Sequence, residues 1–136
     1  MSAASATRAR ILQVGTDRLG LDMRSVILST QGYQVTNCSN GFEAIRAAAV
    51  ERVHVVLIDL DRDGSEMTLI AQEIKRVRPE VPTIVLTERA TPENKIPELC
   101  RLADELVPKE QGPEAILMSV RRVLGKQASA SITRAK

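Results

Sequence analysis

Three polar residues each close an apolar run of β type. Asp59 follows Val53-His54-Val55-Val56-Leu57-Ile58, Thr87 follows Pro82-Thr83-Ile84-Val85-Leu86, and Lys109 follows Leu106-Val107-Pro108. A carboxylate, a hydroxyl and an ammonium at the ends of three strands would meet at the carboxyl edge of one sheet, where open α/β folds bind ligands. A carboxylate placed there can be a nucleophile or a metal ligand, and the ammonium can hold an anion. Two readings of Asp59 and Lys109 stay open at this point: a reacting site, and a structural ion pair across the sheet edge. Asp17 has two readings as well, as a metal ligand or as the N-cap of the helix that follows. Asp61 and Asp63, in the loop after Asp59, are either part of a cation site or solvated turn residues.

The elements that must position these residues follow a strict alternation. Arg10-Ile11-Leu12-Gln13-Val14 reads as a strand ending at Gly15-Thr16-Asp17. Leu19, Met23, Val26, Ile27 and Thr30 recur at helical spacing and predict an inward helix face, stopped by Gly32. Tyr33 to Cys38 alternates like a strand with one wetter face, and Asn40-Gly41-Phe42-Glu43 resembles a capping box opening an Ala-rich helix through Glu51. The run ending at Asp59 lacks polar alternation, which suits a central strand covered on both faces. After it, a helix carries Leu69, Ile70, Ile74 and Val77 on one face up to Pro79, and Pro82 to Thr87 forms the fourth strand. Thr91-Pro92 suits a helix start but Pro97 cannot sit deep in a helix, so the next helix is expected to be short or late and to end near Leu102. Leu106-Val107 is a brief fifth strand. Gly112-Pro113-Glu114 opens a last helix with Ile116, Leu117, Val120, Val123 and Leu124 inward and a stop at Gly125. Five β-α units imply an α/β fold with a parallel sheet, helices on both faces and right-handed crossovers. The expected domain is 10–125, with a disordered tail at 1–9 and a flexible tail at 126–136.

Composition bounds the function. The 136 residues are 43% hydrophobic and 26% charged, which is globular and enough for one domain. No apolar run reaches the roughly 20 residues of a membrane span, and Met1 to Arg8 lacks the apolar segment of a secretory signal, so a soluble cytoplasmic chain with reduced Cys38 and Cys100 is expected. Of 19 basic residues, Arg8, Lys126, Arg134 and Lys136 lie in the tails, which leaves 15 against 17 acidic in the core. The basic pI therefore gives no support for direct nucleic-acid binding, and one Tyr, one Phe and no Trp leave no platform for stacking bases. The stretch Gly15-Thr16-Asp17-Arg18-Leu19-Gly20 is no phosphate loop, since Leu21-Asp22 stand where Lys and Ser or Thr are required. His54 has no ligand partner at metal spacing and reads as a strand-edge histidine.

Taken in order, Val55-Val56-Leu57-Ile58-Asp59-Leu60, Val81-Pro82-Thr83-Ile84-Val85-Leu86-Thr87 and Ala103-Asp104-Glu105-Leu106-Val107-Pro108-Lys109 resemble the receiver domains of two-component response regulators, from about Arg10 to Leu124. The resemblance implies a flavodoxin-like sheet of five strands in order 2-1-3-4-5. It also implies phosphoryl transfer from a phospho-His of a sensor histidine kinase, in a phosphorelay, to Asp59, with Thr87 hydrogen-bonding the phosphoryl group and Lys109 pairing with it. The pattern departs from the family at four points around this site: Gly15 and Thr16 stand where an acidic pair holds Mg²⁺, Glu88 fills a small-residue position, Leu106 replaces an aromatic switch, and Glu110 replaces a Pro. The resemblance as modified implies a stand-alone atypical receiver, a protein-interaction module with weak Mg²⁺ binding and weak or absent Mg²⁺-dependent phosphorylation of Asp59. Its partners would be a sensor kinase or another signalling protein, or a second copy through the fourth helix, fifth strand and fifth helix. The alternatives are a working phosphoacceptor whose Mg²⁺ is held by Asp59 with Asp17, Asp61 or Asp63, and a flavodoxin-like cofactor-binding protein.

Overall fold

A computed structural model of the chain describes residues 9–60, 65–88 and 97–135. Five strands, β1 (Arg10–Val14), β2 (Gln34–Cys38), β3 (Val55–Asp59), β4 (Thr83–Thr87) and β5 (Glu105–Pro108), form one parallel sheet in the order β2-β1-β3-β4-β5. The helices are α1 (Arg18–Thr30), α2 (Gly41–Val50), α3 (Ser65–Val77), α4 (Pro97–Leu102) and α5 (Pro113–Ala135). The fold class and strand order are those expected. Every residue of β3 and β4 is buried, as an uninterrupted apolar run requires.

Successive side chains of a strand point to opposite faces, so each strand feeds two cores. Leu12, Val14, Val56, Ile58 and Val85 share one core with Ala44, Ala47 and Ala48 of α2, Ile70 and Ile74 of α3, and Leu99 of α4. Ile11, Val55, Leu57, Ile84 and Leu86 share the other with Leu28 of α1 and Ile116, Val120 and Val123 of α5. Gln13 lies in the row of Ile11, Asn37 in that of Val35, and Asp59 in that of Val55 and Leu57. The face covered by α1 and α5 therefore carries a polar inlay near its carboxyl edge.

That inlay overturns the face expected for α1. Leu19, Met23 and Val26 are exposed, and the helix turns Leu21, Arg24, Ser25 and Leu28 toward the sheet. A buried polar row must be given hydrogen-bond partners. Gln13, fully buried, has its Nε2 within reach of the Leu21 carbonyl (3.0 Å), Ser25 Oγ (3.2 Å) and Asn37 Oδ1 (2.9 Å), and its Oε1 accepts from Arg24 Nε at 2.8 Å. An all-apolar face there would strand these groups without partners. On α3, likewise, Met67, Ile70, Ala71 and Ile74 are buried while Leu69 is exposed.

The helix ends follow local chemistry. Asp17 caps α1 by accepting from Gly20 N at 3.2 Å, and Gly32, with φ 95°, follows its end. Asn40 caps α2 by accepting from Glu43 N at 2.9 Å. Pro97 is the first residue of α4, where its missing N–H costs nothing, and that helix ends at Leu102 as expected. The start proposed at Thr91-Pro92 lies outside the described residues. The expected stop of the last helix at Gly125 is not observed, since α5 runs through it to Ala135. One helical glycine costs only about 1 kcal/mol, and Gln127 Nε2 anchors the extension by donating to Glu80 O at 2.8 Å.

Neither Cys38 nor Cys100 is in a disulfide. At the opposite edge of the sheet, His54 Nδ1 accepts from the Arg10 backbone N–H at 2.9 Å. Burial, with Arg52 and Arg10 nearby, holds that imidazole below its usual pKa, which suits an acceptor and fits the strand-edge reading. No helix among the described residues is long and apolar enough to cross a membrane.

Candidate functional site: a carboxylate between two cations

Asp59 closes β3 with its side chain only 2% exposed. Its register partner on β4 is Leu86, so Thr87, also buried, is one residue beyond it on the neighbouring strand. Lys109 follows β5 directly and reaches back across the edge. Its Nζ donates to Asp59 Oδ1 at 2.5 Å, to the Leu60 carbonyl at 2.6 Å and to Glu88 Oε1 at 3.0 Å. Three acceptors use all three donors of an ammonium. Burial alone would lower the Lys109 pKa, but the hydrogen bonds to Asp59 and Glu88 outweigh it and hold the value above the usual one.

The other oxygen of Asp59 is held by a residue that the sequence pattern did not single out. Arg24 Nη2 donates to Asp59 Oδ2 in an ion pair whose arginine side chain is 12% exposed. The Nε of the same guanidinium is fixed by Gln13. Each Asp59 oxygen thus has a cationic donor. The available signal was a charged residue interrupting an amphipathic helix at the turn facing the end of β3, and helical periodicity alone reads such a residue as solvated.

Gly15 lies against Asp59. A Cβ at this position would come within 2.8 Å of Asp59 Cβ, so the packing of β1 on β3 requires the glycine. The neighbouring Thr16 brings no carboxylate, and Asp17 caps α1 through its Oδ1. Asp61 and Asp63 lie outside the described residues. Mg²⁺ takes oxygen ligands and usually one or two carboxylates. Among the described residues no three His, Cys, Asp or Glu side chains converge, and both oxygens of Asp59 are engaged by Arg24 and Lys109. With both oxygens of Asp59 engaged, the described groups offer a Mg²⁺ ion no free carboxylate oxygen of Asp59. Glu88, 50% exposed, adds its charge on the outer side of Lys109. Leu106 sits half-buried against the core shared with α2, α3 and α4.

Comparison with known proteins agrees with this architecture. A family model described as the response regulator receiver domain matches residues 11–121. The chain is 27% identical over 115 residues to the response regulator MprA of Mycobacterium leprae, covering 85% of this chain and 50% of that protein. It is 33% identical over 79 residues to the transcriptional regulatory protein GlrR of Escherichia coli, covering 58% and 18% respectively. Among solved structures, a CheY-like receiver domain protein of Methanospirillum hungatei superposes with a TM-score of 0.80 at 27% identity, over 91% of this chain and 99% of that one. The chain spans about half or less of the curated relatives it matches. Receiver domains are signalling modules of two-component systems that typically bind Mg²⁺ at the phosphorylation site.

Proposed function

The chain belongs to the response regulator receiver domain family, and on that premise we propose that it acts mainly as a protein-interaction module, with weak or absent Mg²⁺-dependent phosphorylation at Asp59. The observation that carries this reading is the closure of Asp59 by Arg24 on one oxygen and Lys109 on the other. An in-line attack on a phosphodonor needs a free carboxylate oxygen and a counter-charge for the transferring group. Here the carboxylate is already paired on both sides, and Gly15 and Thr16 supply no oxygen anion for a metal. Lys109 and Thr87 keep the places of the family's phosphoryl-binding cation and hydroxyl.

As an interaction module the domain would engage a sensor histidine kinase or another signalling protein, or a second copy through α4, β5 and α5. On that face Glu105 holds Arg122 in a two-pronged pair, at 2.8 Å to each carboxylate oxygen. Leu106 in place of an aromatic ring weakens the coupling of that face to Asp59. The direct test is mass spectrometry of the protein treated with a small-molecule phosphodonor, with and without millimolar Mg²⁺. The expected result is little or no added phosphate under either condition. Strong Mg²⁺-dependent labelling that disappears in Asp59→Asn would overturn the reading.

A further inference from the structure

We propose that Arg24 is the resident cation of this site, its guanidinium standing on the Asp59 oxygen where a divalent ion would be expected and making the domain's acidic tip independent of metal. The inference rests on the reading of Asp59 given above and adds the group responsible for it.

The positioning of Arg24 is built in layers. Gln13 is fully buried and accepts from Arg24 Nε at 2.8 Å, while its own amide is held among Leu21 O, Ser25 Oγ and Asn37 Oδ1. Ser25 in turn donates to Asn37 at 2.9 Å. Three elements, β1, β2 and α1, thus fix one nitrogen of the guanidinium so that another meets Asp59. A solvated arginine that drifted onto a carboxylate would have no such support.

Charge and space agree with the substitution. Arg24 and Lys109 balance Asp59 and Glu88, so the connected set is formally neutral before any ion arrives. A divalent cation entering it would face two positive side chains and no free oxygen of Asp59. The guanidinium is cationic at every accessible pH and needs no recruitment from solution. Gly15 completes the exchange, because β1 comes so close to Asp59 that a side chain at this family position would have to displace it. Arg24 and Gly15 thus meet the same carboxylate, one with a cation and the other without a side chain.

The experiment compares the full chain with Arg24→Gln and Arg24→Lys, each melted and followed by ¹⁵N NMR with and without about 10 mM MgCl₂, at matched ionic strength. The wild type should show no Mg²⁺-specific change in Tm. Arg24→Gln should melt lower and regain roughly 2–5 °C with Mg²⁺, as expected for a millimolar site opened at Asp59, with amide shifts centred on residues 59, 60 and 109. Arg24→Lys, which keeps a cation, should stay insensitive. If Arg24→Gln folds but ignores Mg²⁺, the inference fails while the functional reading survives. A wild-type response centred on Asp59 would remove both. Should Arg24→Gln not fold, Arg24→Lys decides alone: Mg²⁺ insensitivity supports a resident cation, and a clear Mg²⁺-dependent rise in its Tm overturns it.

Discussion

Two carboxylates of this domain each hold an arginine, at Asp59 with Arg24 and at Glu105 with Arg122, and the surroundings give the pairs different consequences. The Asp59 side chain is 2% exposed and Arg24 12%, with a second cation on the remaining oxygen. The Glu105 side chain is 15% exposed and Arg122 52%, so solvent can take over what one partner loses. Glu105 nevertheless has the better geometry, accepting two bonds from Arg122 and one from Ser119 Oγ. These bonds, Arg122 first, draw its pKa down to about 2 despite the opposing cost of burial. Geometry makes the outer pair strong as a hydrogen-bonded unit; enclosure makes the inner pair costly to break, because little solvent reaches its charges.

Breaking the inner pair should produce the largest effect. Arg24→Ala leaves Asp59 Oδ2 and Gln13 Oε1 without their donor and should cost about 3 kcal/mol, within the range for a buried pair that loses one partner. Urea denaturation measures it. The sharper version replaces both members, as Arg24→Met with Asp59→Leu, which should recover most of the loss. A double variant no more stable than the single one would show that the cost comes from packing of the arginine stem rather than from unpaired charge.

Crowding the inner site comes next. Gly15→Ala puts a methyl group within 2.8 Å of Asp59 Cβ, and overpacking of this kind should cost about 1–3 kcal/mol. Gly15→Asp, which restores the residue type of the family, should be at least as destabilising as Gly15→Ala in the same titration. Equal stability of Gly15→Asp and wild type would mean that β1 yields easily.

The outer pair should register through pH. The Glu105 value in the fold lies below the ordinary 4.5. Its stabilisation is therefore fully present above about pH 4.5 and is lost as pH falls through about 2. Allowing for solvent screening, Glu105→Gln should lower stability at neutral pH by on the order of 1 kcal/mol. It should also flatten the acid limb of the stability curve across that window. An acid limb identical in variant and wild type would assign the acid sensitivity to other carboxylates.

The smallest change expected is a gain. Gly125 lies inside α5 with nothing within 4 Å of where a Cβ would be, so Gly125→Ala should add roughly 0.5–1 kcal/mol. An unchanged stability would indicate that the helix beyond Leu124 contributes little to the folded state.

The strands and the caps were legible because they depend on local chemistry. Val53 to Asp59 was an uninterrupted apolar run and became a buried central strand; Asp17 and Asn40 were residues of capping type and became caps. Helical spacing alone points to the wrong face of α1. Leu19, Met23 and Val26 satisfied the period of an inward stripe, yet periodicity does not know what lies underneath, and underneath lay Gln13, Asn37 and Asp59. Arg24, the partner these residues require, lies on the face that such spacing assigns to solvent.

The sequence alone determined the alternation of elements, the parallel sheet and the placing of Asp59, Thr87 and Lys109 at one edge, because each follows from apolar runs and turns along a short stretch of chain. It also put two residues without a carboxylate, Gly15 and Thr16, directly after the first strand. Only the tertiary structure decided what took up the charge of Asp59. That choice depended on the rotation of α1 over a polar row drawn from three strands, and burying those groups demanded partners that no single stretch of sequence contains.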